Sequence, residues 1–260
     1  MTLLRRTNRA RRRSLVRVAR GALRAAPLPV QVAIGVAGLI ALFFVVNGLY
    51  QVARKPAELF FPVSGVLSKT PAETWRQYQP IFRQHATPLI TAELLAALAQ
   101  VESAGNPVAR TYWRWRLTSE PMNVYRPASS AVGMYQITDA TFAEARGYCI
   151  RDHAVVDSCW FNALYLRVVP SHAVEMTAAY LHRRVSATLE RNKLANATPQ
   201  QKHDLAALIH LCGVNAGEAY ARRRFRLTSG QRCGDHDAAA YLARVNAMKR
   251  AFTRLADEKR

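Results

Sequence analysis

The pattern of apolar and polar positions changes character once along the chain. No charged residue occurs between Arg24 and Arg54, and the stretch VQVAIGVAGLIALFFVVNGLY (Val30–Tyr50) is apolar almost throughout. A helix needs about 20 apolar residues to cross the hydrocarbon layer of a bilayer, so residues 25–51 are predicted as a single transmembrane helix. Residues 52–69 hold two prolines and a glycine and are predicted as a linker. Beyond them the apolar residues take up helical spacing. Trp75, Tyr78 and Phe82 fall three and four apart in a segment (70–86) that opens with Thr70, Pro71 and Glu73, the signature of a capping box. Pro80 is expected to limit or kink that helix. A second helix should run from Thr91 to Gly105, where Asn106-Pro107 stops it. Further helices are predicted at 138–147, 171–190, 202–212 and 236–257. Few segments alternate as strands do. The pattern predicts a mainly α-helical domain over residues 70–260.

Charge gives this layout a direction. The chain carries a formal charge of +20. Residues 1–24 hold nine arginines and no acid, leaving 28 basic residues against 17 acidic ones, an excess of +11, in the rest. Arginines ahead of the span place the N-terminus in the cytoplasm and everything after residue 51 outside it. A cleaved signal peptide is the rival reading. Its apolar region typically covers about 7–15 residues and ends at a small-x-small site, and neither matches. The Arg-rich cytoplasmic segment reads as an orientation signal in contact with anionic headgroups. No folded nucleic-acid reader accompanies it, so nucleic acid is not an expected partner.

Outside the cytoplasm an even number of cysteines suggests disulfides. Cys149, Cys159, Cys212 and Cys233 allow three pairings. Cys149–Cys159 with Cys212–Cys233 is favoured because each closes a local loop between helical segments, and free thiols are the alternative. No C-x-x-C or HExxH spacing occurs, and neither a metal nor a cofactor is expected.

The stretch LLAALAQVESAGNPVAR (Leu94–Arg110) holds the most unusual position. The face defined by Leu95 and Leu98 continues to Glu102, at the C-terminal, negative end of the helix. Burial and the helix dipole both disfavour a charged carboxylate there. A carboxyl group that holds its proton is what a general acid requires. A lone glutamate at a helix end is more often simply solvated, so the context has to decide.

That context is an ordered set of segments: VESAGNP, then SSAVGMYQITDATF (Ser129–Phe142), AAYLHRR (Ala178–Arg184) and CGVNAG (Cys212–Gly217). The set resembles the soluble-lytic-transglycosylase family, whose lysozyme-like helical domain cleaves peptidoglycan glycan strands, and it covers roughly residues 72–257. The resemblance implies that Glu102 is the catalytic acid/base and that Ser103 is the serine following it. It also implies that Met134, Tyr135 and Gln136, with Gly133, form the turn lining the glycan cleft. Tyr180 would be the tyrosine facing the acid, and Asn215 the cleft asparagine. The bland alternatives are a helix-end hydrogen bond for Ser103 and core packing for Met134, Tyr135 and Tyr180. The family's reaction needs one carboxylate and yields a 1,6-anhydro end, unlike glycosidases with paired acids. Asp139, which stands where the family has proline, reads as N-terminal helix charge.

Two departures stand out. Val214 occupies the place of the family's aromatic residue before the asparagine, and Tyr135 is a candidate to compensate. The insertion ARTYWRWRLTSEPMNVYRP (Ala109–Pro127) lengthens the connection after the acid, with Tyr112, Trp113, Trp115 and Tyr125 among Arg110, Arg114, Arg116 and Arg126. Sugar stacking with anion pairing, simple packing on the domain, and a membrane-facing role are all open for it. The expectation is an inner-membrane-anchored periplasmic lytic transglycosylase acting on the MurNAc–GlcNAc β-1,4 bond. The alternative is a catalytically weak wall-binding scaffold whose partners include proteins of an envelope-spanning secretion machine.

Overall fold

The computed structural model describes residues 25–60, 65–157 and 159–258, and the Arg-rich segment 1–24 lies outside the described residues. The fold is mostly helical, as the periodicity predicts. In chain order the elements are α1 (Leu28–Arg54), α2 (Pro71–Gln84), α3 (Ala92–Ser103), β1 (Trp113–Trp115), β2 (Tyr125–Pro127), α4 (Asp139–Ala145), β3 (Cys149–Arg151), β4 (Ala154–Val156), α5 (Pro170–Arg191), α6 (Pro199–Cys212), α7 (Val214–Arg222), β5 (Arg232–Cys233), β6 (His236–Asp237) and α8 (Ala238–Asp257). The strands form three separate antiparallel two-stranded ribbons.

α3 lies at the centre. Every residue from Leu94 to Ala99 is closed to solvent, as expected of a helix that is apolar all round. α8 packs along it and reaches α2 and α6, while α5 touches α2, α4, α6 and α7 as well as α3. Trp75 stacks near Phe82 and Phe252, closing one end of the core.

The capping box of α2 is formed. Thr70 Oγ1 accepts from the Glu73 N–H, and Glu73 Oε2 accepts from the Thr70 N–H at 2.8 Å. Of the two effects expected of Pro80, limiting or kinking the helix, the first does not occur. α2 runs through it to Gln84, with Trp75, Tyr78 and Phe82 buried on one face. α6 starts at Pro199, three residues before the predicted start, because Thr198 and Gln201 form a second capping box. α7 was not anticipated, nor were the three ribbons. α7 spans nine residues, too few for periodicity to stand out, and the ribbon strands have two or three residues each.

α1 is long and apolar enough to cross a bilayer. It runs to Arg54, three residues past the predicted boundary. The only buried residues along it are Asn47 and Gln51, while Leu39, Leu42, Val45 and Leu49 are exposed. Its polar stripe faces protein and its apolar surface faces outward, the reverse of a helix in a water-soluble domain. Asn47 Nδ2 donates to the Tyr125 carbonyl at 2.6 Å, and Gln51 Nε2 donates to the Met122 carbonyl at 2.7 Å. The insertion therefore packs against α1 as the β1–β2 hairpin, with Phe44 meeting the rings of Trp115 and Tyr125 edge-on.

The residues directly after α1 are structured. A 3₁₀ turn at Pro56–Phe60 buries Glu58. Its carboxylate pairs with Lys55 at 3.2 Å and with Arg110 at 3.0 Å, and accepts from Trp113 Nε1 at 2.9 Å. One buried acid thus ties the end of α1 to the insertion.

Candidate active site

Glu102 lies in the last turn of α3. The chain leaves that helix through Ala104 in the left-handed conformation and then Gly105 at φ +66°. A Cβ on residue 105 would stand 2.3 Å from Thr74 Oγ1, so only glycine lets α2 and the end of α3 approach this closely. Ser103 accepts from the Asn106 N–H at 3.1 Å and donates to the Met134 carbonyl at 2.8 Å. This bond fastens the end of α3 to the turn over residues 132–137.

That turn is held by its own backbone. Val132 and Ile137 exchange N–H···O bonds of 3.2 and 3.0 Å. Gly133 has φ +81°, and a Cβ there would lie 2.2 Å from the Arg167 carbonyl oxygen. The close approach that this glycine permits is to the protein's own backbone. Gln136 also has positive φ, and its Nε2 donates to the carbonyls of Gly133 at 3.0 Å and Ala109 at 3.2 Å. Its amide nitrogen thus secures the turn.

Glu102 is not enclosed by apolar groups, as its sequence neighbours implied. Leu95 and Leu98 are fully buried, whereas the Glu102 side chain retains 17% exposure. Its Oε1 accepts a short hydrogen bond from the hydroxyl of Tyr241, on α8. His210, near the end of α6, places Nε2 3.7 Å from the same oxygen. Burial, followed by the negative charge of Glu102, pushes the Tyr241 phenol well above its ordinary value, so this hydroxyl keeps its proton and acts as a donor. Both neighbours address Oε1.

The remaining predicted residues are placed differently. Met134 and Tyr135 are fully buried in the core and present no surface to a cleft. Tyr135 therefore cannot replace the missing aromatic platform at Val214. It reaches the site from beneath, its ring 6.4 Å from the ring of His210 and edge-on. Burial pushes its phenol up as well. Tyr180 lies against α4, with the Arg184 guanidinium over its ring and burial, then Glu144, raising its phenol. The tyrosine that reaches Glu102 is Tyr241. Asn215 is exposed at the start of α7, three residues beyond Cys212. Among the described residues, Gln136, Tyr180 and Asn215 make no hydrogen bond to Glu102. Asp139 opens α4 and pairs with Arg167 at 2.8 Å, in keeping with its reading as helix N-terminal charge.

Residues 79–226 match the family model for the transglycosylase SLT domain. The chain belongs to this family. No curated protein matches it significantly. The SLT match takes in α3, the 132–137 turn, α5, α6 and α7. It ends before α8, so Tyr241 enters the site from beyond the matched segment.

Both favoured disulfides are present. Cys149–Cys159 joins β3 to the loop after β4, with Cα atoms 5.9 Å apart. Cys212–Cys233 joins the end of α6 to β5, with Cα atoms 5.2 Å apart. The second bond links the two segments that carry His210 and Tyr241 to the carboxylate. Among the described residues, no group of three or more His, Cys, Asp or Glu side chains could hold a metal ion.

Sequence reasoning missed Tyr241 and His210. Tyr241 sits on the apolar stripe of DAAAYLARV and is 2% exposed, so by pattern it is a core residue. His210 precedes Cys212 and Asn215 on a buried helix face, which reads as a packed histidine. Only the crossing of α8, α6 and α3 turns both toward one carboxylate oxygen.

Proposed function

We propose that the chain is a membrane-anchored lytic transglycosylase that cleaves the β-1,4 bond between MurNAc and GlcNAc with Glu102 as its single acid/base. Membership of the SLT family supplies the substrate class, peptidoglycan. The observation that carries the assignment to Glu102 is its carboxyl group, which keeps a small exposed surface and is held through Oε1 by Tyr241 with His210 alongside. Protonated on Oε2, Glu102 delivers that proton to the leaving glycosidic oxygen as the C1–O bond breaks. The resulting carboxylate then takes the proton of the muramoyl C6 hydroxyl as its oxygen bonds to C1. The product is a 1,6-anhydro end, with no water consumed and Glu102 reprotonated for the next cycle. Tyr241 orients the carboxyl group, Ser103 holds the helix end against the 132–137 turn, and Asn215 is the candidate for contact with the glycan at the start of α7.

The inverted polarity of α1 supports the anchor reading: residues 1–24 in the cytoplasm, α1 across the inner membrane and the catalytic domain in the periplasm. Cleavage is then restricted to glycan close to the membrane, and the basic excess draws the domain to the anionic wall. The scaffold alternative uses the same anchor, but a binder has no need of a carboxylate held by a buried phenol.

The test is digestion of purified sacculi followed by borohydride treatment of the soluble products. Anhydro ends have no aldehyde to reduce and stay unchanged. Reducible products would show hydrolysis instead, and binding without soluble fragments would favour the scaffold.

A further inference from the structure

The β1–β2 hairpin and the end of α1 enclose two spaces that the cleavage reaction does not use. One is a mainly apolar groove of about 550 Å³ lined by Phe44, Gly48, Val52, Tyr112 and Tyr125, with Asn47 and the Glu58–Arg110 pair also on its wall. The other is a polar pocket of about 190 Å³ lined by Arg54, Lys55 and Arg126 with Gln51, Ser129, Ser130 and Asp139. Tyr125 and Arg126 are consecutive on β2 and so point to opposite faces, one into each space.

Their order along α1 matters. The groove uses α1 residues 44–52 and the pocket residues 51–55. At 1.5 Å per residue the pocket lies on the order of 8 Å nearer the domain. That is the order of acyl chains and headgroups in a leaflet. Aromatic and apolar groups continue outward from the hairpin, with Trp115 61% exposed and Leu117 fully exposed. Arg114 stands directly across the ribbon from Arg126. Like charges opposed in this way are destabilising without a counter-anion. Among the described residues, Arg114, Arg116 and Arg126 have no carboxylate partner within ion-pair distance.

We propose that this junction is a binding site for an anionic phospholipid, its phosphate held between Arg54 and Arg126 at the polar pocket and its acyl chain along the aromatic groove. The phospholipid comes from the leaflet facing the domain, because the groove and the pocket both lie along the last turns of α1, next to the domain. The proposal rests on reading α1 as a membrane anchor. It makes the hairpin a clamp that sets the height and tilt of the domain above the bilayer. A glycan platform, the other use of exposed tryptophan and arginine, does not require a groove walled by α1.

The full-length chain in nanodiscs provides the test, with Trp115 fluorescence isolated as the difference between wild type and Trp115→Phe. Lipids brominated on the acyl chain are the quenchers, carried on either phosphatidylglycerol or phosphatidylcholine. Both should quench Trp115, the phosphatidylglycerol form more strongly, and the double variant Arg54→Gln/Arg126→Gln should lose the difference while quenching persists. Equal quenching by both lipids in the wild type overturns the phosphate site. Absence of quenching in protein that alkaline carbonate leaves in the membrane overturns the whole proposal while sparing the anchor. A Trp115 signal that responds to added glycan strands and not to lipid makes the hairpin a sugar platform instead. Release by carbonate removes the anchor reading, and this proposal with it.

Discussion

The Tyr241 hydroxyl donates to Oε1 of Glu102, joining α8 to the last turn of α3 across 139 residues of sequence. Tyr241→Phe removes the donor and keeps the ring that fills the core. A hydrogen bond to an ionisable group contributes about 1.5–3 kcal/mol, so turnover should fall by roughly 10–150-fold. Because the bond orients the acid rather than the glycan, kcat and kcat/KM should fall together with KM little changed. Steady-state kinetics on soluble glycan strands would check this. A rise in KM alone would place Tyr241 in glycan binding.

Gly133→Ala introduces a Cβ 2.2 Å from the Arg167 carbonyl at a backbone position with φ +81°. No flexible side chain can yield there. The substitution should destabilise the domain by about 3 kcal/mol, measurable by denaturant unfolding. The same change at Gly230, where a Cβ meets nothing but φ is +66°, should cost less.

The two disulfides should separate stability from activity. Each contributes about 3 kcal/mol in the chain-entropy account. Serine at Cys149 and Cys159 should lower the melting temperature and leave kcat near wild type at temperatures where the protein stays folded. Serine at Cys212 and Cys233 should lower both, because that bond links the segments bearing His210 and Tyr241. Melting curves beside initial rates distinguish the two variants.

His203, on α6, has its pKa lowered from 6.5 to about 4, first by burial and then by the charge of Lys249. Between those values the unfolded chain binds a proton that the folded protein refuses, so stability rises with pH through this window and is lost as pH falls from 6.5 toward about 4. Glu218, whose carboxyl is lowered by Arg191, Asn192 and Thr188 despite its burial, loses its contribution only below its ordinary 4.5. Unfolding at about pH 7 and about pH 5 should therefore differ in wild type and differ less in His203→Gln. An unchanged difference would assign the acid sensitivity to other groups.

Much of the fold was legible because burial imposes period and caps impose boundaries. Thr70 and Glu73 marked the start of α2, and Gly105 with Pro107 marked the end of α3. The short elements were not legible: α7 is too brief for its period to show, and Pro80 is tolerated because its face of α2 is exposed. At the site, the motif order placed Glu102, Ser103 and the 132–137 turn near one another. It could not tell a side chain that lines a cleft from one that supports it, and the fully buried Met134 and Tyr135 do the second. Tyr241 and His210 were hidden because a buried tyrosine and a buried histidine on apolar stripes look like packing until tertiary crossing reveals their shared partner. The insertion was ambiguous for a similar reason: only the docked structure shows that its aromatic residues meet α1.

The central claim is that one carboxyl group, that of Glu102, breaks the glycan strand without water. Mass spectrometry of sacculi digested by the wild-type chain and by Glu102→Gln tests it most directly. The account predicts anhydromuropeptides from the wild type and none above background from the variant, with the variant's melting temperature unchanged. Anhydro products from Glu102→Gln at the wild-type level would contradict it.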